Sequence, residues 1–148
     1  MNHCLAQLNI TRMRAPLGDP LMERFVAWLE PINALADESP GFIWRLQTDE
    51  GDATSIRAFE DDRILVNMSV WRTLEVLRAF VFNSDHVRVM RERVRWFEPM
   101  DVPTTVLWWV PEGHIPTVDE GKKRLDLLRE RGPSESAFTF AQSFSPPA

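Results

Sequence analysis

The chain contains no tyrosine and only one cysteine, Cys4, among its 148 residues. The first absence removes a phenol as general acid, and the second removes both an intrachain disulfide and a multi-cysteine zinc site. A single thiol fits a reducing compartment. The N-terminus has no apolar run of signal-peptide length, and no segment approaches the roughly 18 apolar residues of a spanning helix. The expectation is a soluble, cytoplasmic protein with no membrane partner. Positive charge is in deficit, with 17 Lys and Arg against 22 Asp and Glu and a net charge of −5. That balance argues against a broad phosphate-binding surface and against nucleic acid as a partner. The three histidines, His3, His86 and His114, have no i, i+4 spacing, so no metal site is expected. A glycine-rich phosphate loop, a nucleophile elbow and a paired-carboxylate motif are all missing.

What is present is enough apolar material, 44% of the residues, for one substantial core. A single domain over residues 1–148 is the natural division. Residues His3 to Ile10 alternate, with Ala6, Leu8 and Ile10 on one side and Leu5, Gln7 and Asn9 on the other, which is the period of a strand. After a loop with Pro16, Gly18 and Pro20, the residues Leu21, Phe25, Trp28, Leu29, Ile32 and Leu35 recur at helical spacing. Pro31 is expected to kink or break that helix. Ser39-Pro40-Gly41 signals a turn into a short strand, Phe42 to Gln47, and the acidic stretch Thr48 to Asp62 reads as a hairpin loop with a short extended piece near Ser55 to Ala58.

Ile64 to Trp71 is the clearest strand. Val66, Met68 and Val70 form one face, and Leu65, Asn67, Ser69 and Trp71 the other. Thr73 suits a helix N-cap before Leu74, Leu77, Phe80 and Val81, and a second, arginine-rich helical stretch runs from His86 to Phe97. Pro103 to Val110 is apolar and of strand length. The order through residue 110 is therefore βαββαβ, the split βαβ or ferredoxin-like arrangement, an α+β fold with a four-stranded antiparallel sheet. Thr117 to Glu120 has the form of a capping box and Gly132-Pro133 that of a stop, so a further helix is expected over about Val118 to Arg131. Beyond it lies an extended tail in which Phe138, Phe140 and Phe144 recur. The core is thus about 3–110, with the C-terminal helix and tail occupying 111–148.

The strands have one apolar face and one mixed face, and the mixed face carries the functional interest. Gln7 and Asn9 come from the first strand, Asn67, Ser69 and Trp71 from the third, and Arg45 or Trp44 from the second, depending on its register. Convergent amides and hydroxyls among apolar walls are what a ligand cavity offers; a solvent-facing or dimer-facing surface is the bland alternative. His86 can move a proton or ligate a metal or haem, or simply begin a helix beside Asp85. His114, in a glycine-containing loop past the fourth strand, can line a pocket rim or order the connection to the next helix. Arg91 and Arg95 lie four apart and can clamp a carboxylate or phosphate, or form a solvated face salt-bridged to the acidic 49–62 loop. Trp44, Trp71, Trp96, Trp108 and Trp109 can stack on a flat ligand or fill core and interface.

The order βαββαβ, the entry Pro40-Gly41-Phe42, the run Met68-Ser69-Val70-Trp71-Arg72-Thr73-Leu74-Glu75 and the corner Asn83-Ser84-Asp85-His86 resemble the dimeric α/β-barrel superfamily, which includes the antibiotic-biosynthesis monooxygenases. Leu107-Trp108-Trp109-Val110-Pro111, Gly113-His114 and Ala137-Phe138-Thr139-Phe140 look like a bacterial domain family within it that has no assigned reaction. The resemblance implies a homodimer and a small enzyme that works without a tightly bound cofactor on an aromatic or apolar metabolite. In that reading His86, Asn9 and Asn67 are catalytic, and Gln7, Arg45, Ser69, Trp71, Trp108 and His114 bind substrate. The alternatives are a non-catalytic small-ligand or haem-binding protein of the same fold, and a structural dimer. In the haem-degrading branch an Asn on strand one works with a Trp and a His; Asn9 matches, but Val81 and Arg91 occupy the other two positions, which counts against that mechanism.

Overall fold

A computed structural model describes residues 2–49, 51–84 and 86–147. The elements run β1 (His3–Met13), a short 3-10 turn (Pro20–Met22), α1 (Glu23–Glu38), β2 (Phe42–Arg45), β3 (Ile64–Trp71), α2 (Leu74–Asn83), α3 (His86–Trp96), β4 (Phe97–Glu98), β5 (Thr105–Pro111) and α4 (Val118–Arg131). The fold is α+β, with one antiparallel sheet of five strands. β1 is central. It pairs with β3 along one edge, Leu5 to Arg12 opposite Trp71 to Ile64. Along its other edge, β5 takes His3 to Asn9 and the two-residue β4 takes Arg12 and Met13. β2 adds to the far side of β3 with an irregularity between Phe42 and Trp44.

Several boundaries differ from the sequence reading, each for a local reason. The sheet has five strands rather than four because β4 extends the β5 edge past the loop that joins them. α1 continues through Pro31, which sits exposed where the missing N–H costs least. No strand forms in the 51–62 segment. Instead Ile56, Ala58 and Phe59 pack on the core, and Lys122 holds this segment by donating from Nζ to the Ala58 carbonyl at 2.6 Å.

The two-residue period of β1 sends its side chains into different environments. Cys4, Ala6, Leu8 and Ile10 join Val66, Met68, Val70, Val106, Trp108 and Val110 in one apolar layer, which α4 covers with Leu125 and Leu128. α4 can approach closely because Gly121 faces the sheet: a Cβ there would lie 2.5 Å from Leu8 Cδ1. Thr117 caps the helix by accepting from the Glu120 N–H, and Gly132 ends it at φ 75°. Burial of a leucine stabilises by about 1.5–3 kcal/mol, so Leu125 and Leu128 make this helix part of the core rather than an appendage. The apolar face lies beneath α4, and the mixed face lies beneath α1, α2 and α3.

That mixed face is apolar at both ends. At one end Leu5, Trp71 and Leu107 pack with Leu77, Ala36 and Phe138; at the other, Met13 and Leu65 pack with Met22 and Trp96. Phe138 also pairs with Leu107, so the tail lies along the β5 edge. No helix among the described residues is long and apolar enough to cross a membrane.

Gly41 sets the entry to β2. Its φ is +81°, its carbonyl accepts from the Arg72 N–H at 2.8 Å, and an added Cβ would lie 2.6 Å from Val76 Cγ2. Gly41→Ala therefore combines a left-handed backbone cost of about 1–2 kcal/mol with overpacking of about 1–3 kcal/mol. Thermal unfolding should show a drop in Tm of more than about 4 °C, and an unchanged Tm would contradict this account of the turn.

Candidate functional site

The three helices that cover the mixed face seal it at its two apolar ends and stand away from its middle. Between them lies a cavity of about 860 Å³, within the range of roughly 300–1,000 Å³ typical of small-molecule sites. Its roof is apolar and comes from Phe25, Trp28, Leu29 and Ile32 of α1 and Val89 and Met90 of α3. Its floor is the polar middle of the sheet.

The floor is polar because strand register aligns residues that alternate onto the same side. Gln7 stands opposite Ser69, and Asn9 opposite both Asn67 and Thr105. Gln7 Nε2 donates to Asn67 Oδ1 at 2.7 Å and to Ser69 Oγ at 2.8 Å, and the Trp71 indole N–H donates to the same Ser69 oxygen at 2.8 Å. Asn9 Nδ2 donates to Thr105 Oγ1 at 2.7 Å. These bonds fix the side chains without exhausting them. An indole N–H can only donate, so Ser69 accepts twice and keeps its own proton to give. The Asn67 amide N–H₂, the Gln7 carbonyl and the Asn9 carbonyl have no protein partner among the described residues. The floor therefore offers donors and acceptors side by side at fixed positions.

His86 stands at the start of α3 on the cavity wall. Its Nδ1 lies 3.3 Å from the Val81 carbonyl, which requires that nitrogen to carry the proton and leaves Nε2 with a lone pair. Burial pushes its pKa below the ordinary imidazole value, and the Val81 bond offsets part of that fall. Its ring packs on Phe80 at 5.1 Å between centroids, and Phe80 stacks on Trp71 at 5.1 Å. Asp85, its neighbour in the sequence, lies outside the described residues.

Seven of the nine residues singled out from the sequence border this cavity: Gln7, Asn9, Arg45, Asn67, Ser69, Trp71 and His86. The register of β2 is settled in favour of Arg45, which donates to the Asp37 carboxylate at 2.8 Å and to the Gly51 carbonyl at 2.7 Å, while Trp44 packs on the opposite layer. Trp108 and His114 are not brought to the cavity. Trp108 alternates onto the α4 side and donates to Glu120 Oε2 at 2.9 Å; His114 meets Glu120 Oε1 at 2.7 Å. Together they fasten the start of α4. Arg91 is exposed, and Arg95 reaches Glu92 at 3.8 Å, on a carboxylate that also pairs with Arg24 at 3.0 Å. Neither forms a clamp on the cavity. Of the tryptophans proposed for stacking, only Trp71 lines it, joined by Trp28.

The sequence reading missed Thr105, Trp28 and Arg93. Thr105 is invisible without knowing that β5 pairs with β1 in this register. Arg93 had a signal, because 86, 89, 90 and 93 fall on one helical face, so a cavity-facing His86 brings Arg93 with it. Among the described residues no group of three or more His, Cys, Asp or Glu side chains is placed to hold a metal ion.

A family model described as a domain of unknown function, DUF3291, matches residues 4–148. No curated protein matches the chain. A crystal structure of a protein of unknown function from Nitrosomonas europaea is similar, with 11% identity over 78% of this chain and 96% of that one and a TM-score of 0.51. A second, from Pseudomonas aeruginosa, has 14% identity over 77% of this chain and 98% of its own, with a TM-score of 0.49. At these identities the likeness to the first concerns the fold alone.

The lowered pKa of His86 has a measurable consequence. The unfolded chain takes up this proton near the ordinary value, about 6.5, and the folded chain only at lower pH. The fold is thus fully stable in this respect above that value, and loses stability as pH falls from it towards the folded pKa. NMR titration of the His86 ring should give a midpoint below 6.5, and His86→Phe should flatten the pH dependence of stability in that window. A midpoint at or above the ordinary value would sink the assignment of a neutral imidazole.

Proposed function

Starting from the fact that the chain belongs to the DUF3291 family, we propose that it binds and transforms a small, flat, largely apolar metabolite bearing hydrogen-bonding oxygens. The carrying observation is the cavity itself: an apolar roof set over a floor of fixed amides and hydroxyls. Such a site gains affinity from apolar burial and orientation from the few polar groups.

The proposed chemistry is proton transfer at an oxygen-bearing carbon skeleton, as in the cofactor-independent monooxygenases the sequence resembles. Neutral His86 accepts a proton from a phenol or enol through Nε2. The Asn67 amide and the Ser69 hydroxyl donate to the oxyanion that this leaves, a preorganised stabilisation that costs no reorientation during the reaction. Trp71 forms one wall, and Asn9 and Gln7 supply acceptors that fix the ring. Arg45 holds the β2 side of the wall through Asp37.

The proposal includes the ferredoxin-like, dimeric architecture implied by the resemblance. The strand order β2-β3-β1-β5, with helices crossing over one face, supports the ferredoxin-like part. A partner subunit would dock around a sheet whose second face α4 already covers. A non-catalytic binder would use the same cavity and would differ by needing no titratable His86.

Two measurements test the site. Native mass spectrometry of the purified protein should reveal small-molecule adducts that are lost on denaturation. Titration with 1-naphthol, followed by tryptophan quenching, should show saturable binding, since Trp28 and Trp71 border the cavity. Asn67→Leu should weaken 1-naphthol about tenfold through loss of one hydrogen bond to the ligand oxygen while leaving naphthalene within about twofold. If neither probe binds and no adduct appears, the proposal fails; equal effects on both probes would remove Asn67 from its polar role.

A further inference from the structure

Most of the ionisable groups that border the cavity are engaged by neighbouring side chains or backbone. Asp52 Oδ1 accepts from two neutral donors, the Thr54 N–H at 2.9 Å and the Thr54 hydroxyl at 2.6 Å. Glu98 shares Arg12 with Asp61, at 3.4 Å and 2.9 Å respectively, and Arg45 is held by Asp37. His86 is neutral. Two guanidinium groups remain. Arg14 gives its Nε to the Val94 carbonyl at 2.9 Å, and neither terminal nitrogen meets a carboxylate among the described residues. Arg93 has no hydrogen-bond or ion-pair partner among them.

Arg14 and Arg93 come from different elements to the same place. Arg14 follows the end of β1, with its N–H donating to the Trp96 carbonyl at 2.7 Å and its side chain laid against Val94; Arg93 precedes Val94 on the cavity face of α3. Both are exposed, which places them at the rim rather than in the depth of the cavity. Two guanidinium groups without a carboxylate partner among the described residues thus stand at the rim beside the apolar roof, in a protein of net charge −5. Guanidinium groups select planar oxyanions through paired N–H donors.

We infer that the cavity takes an amphipathic carboxylate: a small acid whose carboxylate rests between Arg14 and Arg93 while its apolar body lies beneath Trp28 and Met90. This rests on the cavity being the small-molecule site proposed above and adds the charge class of the ligand. It also moves anion recognition from Arg91 and Arg95, where spacing along the helix suggested it, to Arg93 and a residue of another element.

The test compares 2-naphthoate with its neutral isostere 2-naphthamide by calorimetry on the full chain. Naphthoate should bind at least tenfold more tightly, and added salt should weaken it while leaving naphthamide unaffected. Arg93→Met, at an exposed position with no other contact to lose, should weaken naphthoate five- to twentyfold and leave naphthamide within twofold; Arg93→Lys should recover part of the loss. Arg14→Met should act in the same direction, with circular dichroism verifying the fold because Arg14 also serves the end of α3. Equal affinity for the two probes, or indifference of naphthoate binding to Arg93→Met, overturns the carboxylate inference while leaving the cavity as a ligand site. Binding of neither probe overturns both.

Discussion

β1 is flanked by β3 on one edge and by β5 and β4 on the other, and that confinement governs what every other element can do. A central strand cannot slip by one residue without exchanging its two faces. Here an exchange would push Gln7 and Asn9 into the layer under α4 and expose Leu8 and Ile10 to the cavity. Burial of Ala6, Leu8 and Ile10 against Leu125 and Leu128 therefore fixes the polar floor as well as the core. The energetics belong to one face and the chemistry to the other, and a single register serves both.

The same logic explains why the cavity exists. Along the mixed face the residues run apolar, polar, apolar: Leu5, Gln7, Asn9, Thr11, Met13 on β1, and Trp71, Ser69, Asn67, Leu65 on β3. Helices gain by closing on the two ends, where Leu77 and Trp96 find apolar partners, and gain nothing by pressing on amides that already bond to one another. Burying those amides under a dry roof would leave their remaining donors and acceptors unpaired, at a cost of about 1–3 kcal/mol for each. The hollow is thus the lower-energy arrangement for this pattern of side chains.

Much of this was legible from alternation. The faces of β1 and β3, the caps at Thr73 and Thr117 and the span of α4 follow from local patterns that need no tertiary information. Which face the helices would cover did not follow, because an apolar strand face is satisfied equally by α1 to α3 or by a later helix, and periodicity does not say which arrives. Strand partners are likewise silent in a single sequence: Thr105 becomes part of the site only through its pairing with Asn9. Trp108 and His114 joined the site on paper and not in space. Trp108 alternates onto the α4 side of β5, His114 lies in the connection to that helix, and both meet Glu120 at its start.

The covering of the second sheet face by α4 also alters how the protein responds to its own concentration. A sheet whose apolar layer is closed by another subunit loses stability on dilution, since the closing step is bimolecular. Here the closing helix is tethered to β5 by the six residues 112–117, so it meets the sheet at a high effective concentration set by that tether. The Leu8 and Leu125 layer is therefore closed within each chain, and covering it does not call on a second subunit.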